Sequence, residues 1–187
     1  MVEKSFFMSG EAEAGRFAFP GFYDYPPYFT LQPVKETREK QLSAWRELVL
    51  NYARSERVFS FNPSTFELFE NKSINRSLSE SARGALVDDL IAKGVCQRAG
   101  QGSPDVFVLW KTVSEWGNTL TEWAHRTGRR QDVMTIDELC CSEEFADEPF
   151  HKMPVAFMLV VLKNLEKENK VMLFQGTDQD DQGVKFL

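Results

Sequence analysis

The chain has 187 residues and a formal net charge of −6, with 42 % of side chains apolar and 27 % charged. That balance predicts a packed core and excludes global disorder. No run of about 18 apolar residues occurs, and "MVEKSFFMSGEAEAG" lacks the long apolar core of a signal peptide, so a cytoplasmic protein without a membrane span is predicted. Three cysteines without framework spacing, Cys96, Cys140 and Cys141, point to reduced thiols. Charge is uneven. Residues 112–187 hold 8 basic and 14 acidic side chains, which repel a phosphate backbone and suit a basic partner.

Residues 1–16 show no periodicity and are expected to be disordered. Residues 17–37 contain "FPGFYDYPPYF", where Pro20, Pro26 and Pro27, followed by Pro33, favour an extended backbone. This arm repeats itself: "FPGFY" superimposes on "YPPYF" with a shift of six. In a polyproline II helix that shift is two turns, about 19 Å, so both copies would face one way. Two placements are open, a fold back onto the chain's own core or a partner's apolar groove. The exposed aromatic content favours the partner. A P-P-x-Y ligand would need tyrosine where Phe29 stands.

A helix follows from residue 38, with Thr37 as N-cap and Leu42, Trp45, Val49 and Tyr52 along one face. "RVFSFN" reads as a strand, "PSTFELFE" as a short helical piece and "NKSINR" as a loop. "SLSESARGALVDDLIAKG" is a helix ended by Gly94, and "VCQRA" and "VFVLW" form a hairpin. The same order then recurs. Val113, Trp116, Leu120 and Trp123 repeat the first helix's stripe at a shift of 71, and "VMTI" repeats "VFSF" at a shift of 75. "DELCC" is the short helix, "PVAFMLVVLKNLEKENK" the long one, and "VMLFQ" with "VKFL" the closing hairpin. Helix, strand, helix, helix, strand, strand is the order of a winged helix. The prediction is an α+β chain: two tandem winged helices, residues 38–111 and 112–187, preceded by an extended Pro/aromatic arm. Trp110, Lys111 and Thr112 join them without a flexible linker.

Chemistry is sparse. Cys140, Cys141, His125 and His151 do not make a four-ligand zinc pattern, and no C-x-x-C pair exists. "DQDDQG" (178–183) copies a calcium loop only in part and reads as a hairpin turn. No phosphate loop, G-x-S-x-G or H-E-x-x-H occurs, so no enzyme, metal or cofactor is predicted. A winged-helix DNA-binding regulator is the alternative function. Asp88 and Asp89 on the first recognition-type helix oppose it, as does the apolar surface of "PVAFMLVVLK". Phe157 and Val161 on that second helix either fill the core or face a protein groove; the pattern leaves both open.

"YPPYFTLQP" with "TREKQLSAW", "EWGNTLTEWAHRTG", "EEFADEPFH" and the terminal "QGVKFL" resembles the smallest subunit of the ESCRT-II endosomal sorting complex, over about residues 19–187. The resemblance implies two winged helices, no enzymatic activity and no cofactor. It implies a Y-shaped complex with two copies of this subunit and one each of two larger subunits, which the arm and the first winged helix bind. The second winged helix would recruit the ESCRT-III subunit that starts filament assembly. The complex would act at the endosomal membrane, sorting ubiquitinated cargo into multivesicular bodies. The arm residues expected to meet the larger subunits are Tyr25, Pro26, Pro27, Tyr28, Phe29, Leu31 and Pro33, with Phe19, Pro20, Phe22 and Tyr23 from the looser copy. For ESCRT-III, charge alone points to the acidic loop bearing Glu143, Glu144, Asp147 and Glu148.

Overall fold

A computed structural model describes residues 17–100, 102–175 and 182–187. The expectations for residues 1–16 and for the calcium-like run 178–181 lie outside the described residues.

Helix α1 spans Lys35–Ser55 and buries Trp45, Leu48, Val49 and Ala53. It starts earlier than the sequence suggested. Pro33 is followed by an extended Val34, which serves as N-cap without a side-chain bond, so Thr37 already lies in the first turn. Strand β1 (Ser60–Phe61) follows. The expected short helix shrinks to a single 3-10 turn, Glu67–Phe69. The supposed loop after it is a tight hairpin, β2 (Glu70–Asn71) with β3 (Arg76–Ser77), closed by Asn71 Oδ1 accepting from the Ser73 N–H at 3.0 Å. Helix α2 (Glu80–Ala92) is capped by Ser79, and Gly94 leaves it at φ +70°. Strands β4 (Cys96–Arg98) and β5 (Val106–Val108) complete the first unit.

The second unit runs α3 (Val113–Arg126), β6 (Val133–Thr135), α4 (Ile136–Cys141), α5 (Val155–Lys167), β7 (Val171–Phe174) and β8 (Gly183–Phe186). Each unit builds a three-stranded antiparallel sheet with its last strand in the middle, β1-β5-β4 and β6-β8-β7, and the first adds the two-stranded β2-β3 sheet. This is the winged-helix arrangement twice over. The repeat holds at the level of burial. Trp45 and Val49 match Trp116 and Leu120, Phe59 and Phe61 match Met134 and Ile136, and all eight are buried.

The units share one apolar core. A capping box between Thr112 and Glu115 starts α3 directly after the joint. Trp110 and Trp116 meet edge to face with centroids 4.8 Å apart, and Arg54 donates to the Trp110 carbonyl at 3.1 Å. Phe107 of β5 stacks on Phe157 of α5 at 4.9 Å. Phe157 and Val161 are fully buried, so α5 packs into the core and offers them to no groove. Gly117 lets α3 and α5 approach closely, since a Cβ there would sit 2.9 Å from Leu165 Cδ2.

Candidate partner-binding surface

The arm does not run as a polyproline II helix. It winds into two 3-10 turns, Gly21–Asp24 and Pro26–Phe29, separated by an extended Tyr25. Proline suits the first position of the second turn because its fixed φ is near the 3-10 value and its missing N–H is not needed there. The turns close through Tyr23 N–H to the Pro20 carbonyl (2.9 Å) and Tyr28 N–H to the Tyr25 carbonyl (3.1 Å).

The six-residue shift nevertheless survives as a pattern of burial. Tyr23 and Phe29 are 7 % and 2 % exposed, inside the first unit's core. Phe22 and Tyr28 are half-buried, with rings 4.8 Å apart. Phe19 and Tyr25 are 46 % and 58 % exposed. Each residue of the first copy thus has the environment of its counterpart six positions on.

Backbone atoms of the arm are held by side chains far along the chain. Trp45 Nε1 donates to the Tyr28 carbonyl at 2.9 Å, and Gln41 Nε2 donates to the carbonyls of Tyr28 (2.8 Å) and Thr30 (2.9 Å). Asn71 Nδ2 donates to the Tyr23 carbonyl at 2.8 Å. Gln41 and Asn71 are buried amides, and both direct their donors at the arm. The Tyr23 hydroxyl lies 3.1 Å from the Leu68 carbonyl and 2.9 Å from that of Glu70. Burial pushes its pKa up to about 12, with the nearby Asp24, Glu67 and Glu70 carboxylates adding to the shift. Phe29 meets Trp45 edge to face at 5.3 Å.

Of the residues expected to meet a partner, the structure therefore divides the set. Tyr23 and Phe29 are core. Phe22 and Leu31 are half-buried against it, and Tyr28 is half-buried beside Phe22. Phe19, Pro20, Tyr25, Pro26, Pro27 and Pro33 stay exposed, alongside Val34 at 61 %. A pocket of about 290 Å³ opens between Tyr25, Pro27, Tyr28, Thr37, Lys40 and Gln41. Gln41 and Asn71 were not singled out from the sequence. Gln41 had a signal, a polar residue one turn before Trp45 on the apolar stripe; Asn71 had none.

The acidic loop is partly neutralised. Glu148 pairs with Arg126 at 2.7 Å and Glu144 pairs with Arg129, both arginines coming from the end of α3 and the turn after it. Glu143 and Asp147 are exposed. Burial raises the thiols of Cys96 and Cys140 to about 12, the opposite of nucleophile activation. No group of three or more metal-ligating side chains gathers among the described residues. No described helix is long and apolar enough to cross a membrane. On α2, Asp89 pairs with Arg46 at 2.6 Å and Asp88 with Arg98 at 3.6 Å.

Comparison with known proteins resolves the family. The ESCRT-II complex subunit family model matches residues 22–154. Vacuolar protein sorting-associated protein 25 of Arabidopsis thaliana is 36 % identical over 171 residues, 91 % of this chain and 96 % of the relative. The chain belongs to this ESCRT-II subunit family. The crystal structure of subunit VPS25 of the endosomal trafficking complex ESCRT-II superposes with a TM-score of 0.79 at 26 % identity, covering 90 % of this chain and 98 % of the other. A chain from the crystal structure of the endosomal complex ESCRT-II (VPS22/VPS25/VPS36) superposes at 0.78 and 25 % identity, with 90 % and 98 % covered. The family is one of structural subunits, not enzymes, in agreement with the absence of catalytic motifs from the sequence.

Proposed function

We propose that this ESCRT-II subunit bridges the larger ESCRT-II subunits, through its arm and first winged helix, to the ESCRT-III subunit that starts filament assembly, through its second. Two copies per complex would thereby help sort ubiquitinated cargo into multivesicular bodies, reaching the endosomal membrane only through the complex. The reading is supported by membership in the ESCRT-II family and by the solved complex of a relative that contains VPS22 and VPS36.

The observation that carries the first contact is the exposure of Tyr25, at 58 %, beside Pro26 and Pro27, in a turn whose Tyr28 carbonyl is held by Trp45 and Gln41. Rigid aromatic side chains on a pre-ordered backbone lose little entropy on docking. For the second contact, Glu143 and Asp147 have no ion pair among the described residues and would orient a basic partner. The test is co-purification with the two larger subunits, comparing the full chain with a Tyr25→Ala, Pro26→Ala, Pro27→Ala variant. Loss of assembly with the fold intact is expected; undiminished assembly would overturn the arm's role.

A further inference from the structure

The two copies of the arm's aromatic unit each leave one ring exposed, Phe19 at 46 % and Tyr25 at 58 %. Their surroundings differ in charge. The pocket beside Tyr25 has Lys40 in its lining and, among the described residues, no carboxylate. A second open pocket, of about 400 Å³, lies at Phe19 between the arm and the β2-β3 hairpin. Its lining joins the rings of Phe19, Tyr23 and Tyr52 to the side chains of Glu67, Glu70 and Lys72.

The rings hold one another in place. Phe19 stacks on Tyr23 with centroids 4.5 Å apart and planes 16° apart, and lies 6.2 Å from Tyr52. Phe17 packs edge to face with Phe19 at 5.1 Å and with Tyr52 at 5.3 Å. The Tyr23 hydroxyl is fixed at the Leu68 and Glu70 carbonyls, and that of Tyr52 donates to Glu67 Oε1 at 2.9 Å. The charge around these rings is lopsided. Glu67 and Glu70 have no ion pair among the described residues, and neither has the exposed Lys72, which therefore leaves both uncompensated. Asp24 and Glu56 add to the negative charge. Burial first, and then these carboxylates, push the Tyr23 and Tyr52 hydroxyls up to about 12.

An aromatic face attracts a cation through its quadrupole, and a carboxylate attracts it through its charge. Among the cations a polypeptide offers, arginine suits both partners at once. Its planar guanidinium stacks on a ring while its N–H fork meets a carboxylate, whereas a lysine ammonium is a compact point charge. We propose that the pocket at Phe19 binds an arginine side chain of another polypeptide. The guanidinium stacks on Phe19 and donates to Glu70 and to the Glu67 oxygen that Tyr52 leaves free. The first aromatic unit thus receives a cation, while the second offers an apolar surface at Tyr25. The proposal needs only this chain's own residues and does not depend on which subunits the arm meets.

The test is titration of the isotope-labelled full chain with N-acetyl-arginine amide, followed through the amide chemical shifts of Phe19, Tyr52, Glu70 and Lys72. Saturable shifts with a Kd of about 1–10 mM are expected for one side chain held by a few such contacts. N-acetyl-lysine amide and tetramethylammonium should each bind about threefold or more weakly. Phe19→Ala and Glu70→Gln should each weaken arginine binding about fivefold, and Phe19→Trp should retain it, since indole is the better cation partner. Lys72→Gln should tighten it about twofold by removing a like charge. Shifts that are absent or do not saturate overturn the proposal, as does unchanged affinity in Phe19→Ala and Glu70→Gln. Either control compound binding as tightly as the arginine compound, or more tightly, overturns the choice of arginine; for tetramethylammonium the pocket would instead fit a choline-type headgroup.

Discussion

The indole Nε1 of Trp45 donates to the carbonyl of Tyr28 over 2.9 Å, so the first helix holds the arm by a side chain from its apolar stripe. The arm is thus an integral part of the first winged helix. Removing it would strip Trp45 of its cover and leave Gln41 and Asn71 with unmet donors, so truncation confuses folding with binding. Point substitutions separate the two.

Phe29→Ala removes a ring that packs on Trp45 and is 2 % exposed. Unfolding by urea should show a loss of about 3–5 kcal/mol, the usual cost of emptying a buried aromatic site. A loss below about 0.5 kcal/mol, the level of a surface change, would mean that the arm is not part of the core.

Asn71→Ala leaves the Tyr23 carbonyl and the turn at Ser73 without their partner. A loss of about 1–3 kcal/mol is expected in the same assay, as for a buried group left unsatisfied. Slower hydrogen exchange at Ser73 in the variant than in the parent would contradict this account.

Tyr25→Ala acts on an exposed side chain. Thermal unfolding should be nearly unchanged, while affinity for the larger ESCRT-II subunits falls by about 2 kcal/mol or more, roughly 30-fold, if Tyr25 is a hot spot. Calorimetric titration of the purified chains measures both numbers on the same samples.

Alkaline pH should destabilise the fold through Tyr23 and Tyr52. Both hydroxyls are raised from 10.0 to about 12, chiefly by burial, and for Tyr52 also by its hydrogen bond to Glu67. The folded state therefore holds these protons more tightly than the unfolded chain. Their contribution is fully present below pH 10 and is lost as pH rises from 10 towards 12. Urea midpoints across that window should fall, and Tyr23→Phe should flatten part of the slope.

The cysteines should divide by accessibility. Cys141 is exposed, whereas Cys96 and Cys140 are buried with thiols raised to about 12. Iodoacetamide at neutral pH should label Cys141 alone in the folded chain, and slowly, because partial burial and then Asp137 raise its pKa too. Rapid labelling of Cys140 would indicate an activated thiol that the structure does not explain.

Much of the fold was legible because its signals are local. The stripe Leu42, Trp45, Val49, Tyr52 and its echo at Val113, Trp116, Leu120, Trp123 follow helical spacing. Gly94 and Gly128 stop their helices at positive φ, and the repeat of "VFSF" by "VMTI" marks the same strand twice. The family was legible in the ordered run of matching segments from "YPPYFTLQP" to "QGVKFL".

The sequence alone determined the main helices and the strands of the two three-stranded sheets, the duplication and the aromatic–proline composition of the arm, since each depends on neighbours within a few residues; it did not give the β2-β3 hairpin. Tertiary structure decided which aromatics of that arm are surface and which are core. Tyr23 is settled by Leu68, Glu70 and Asn71, more than 40 residues away. It also decided that Phe157 is core while Phe174 is not. Phe157, near the start of α5, stacks on Phe107 of the first sheet, whereas Phe174, at the end of strand β7, stays 39 % exposed. Periodicity reports which face of an element is apolar, and burial depends on what the rest of the chain brings against it.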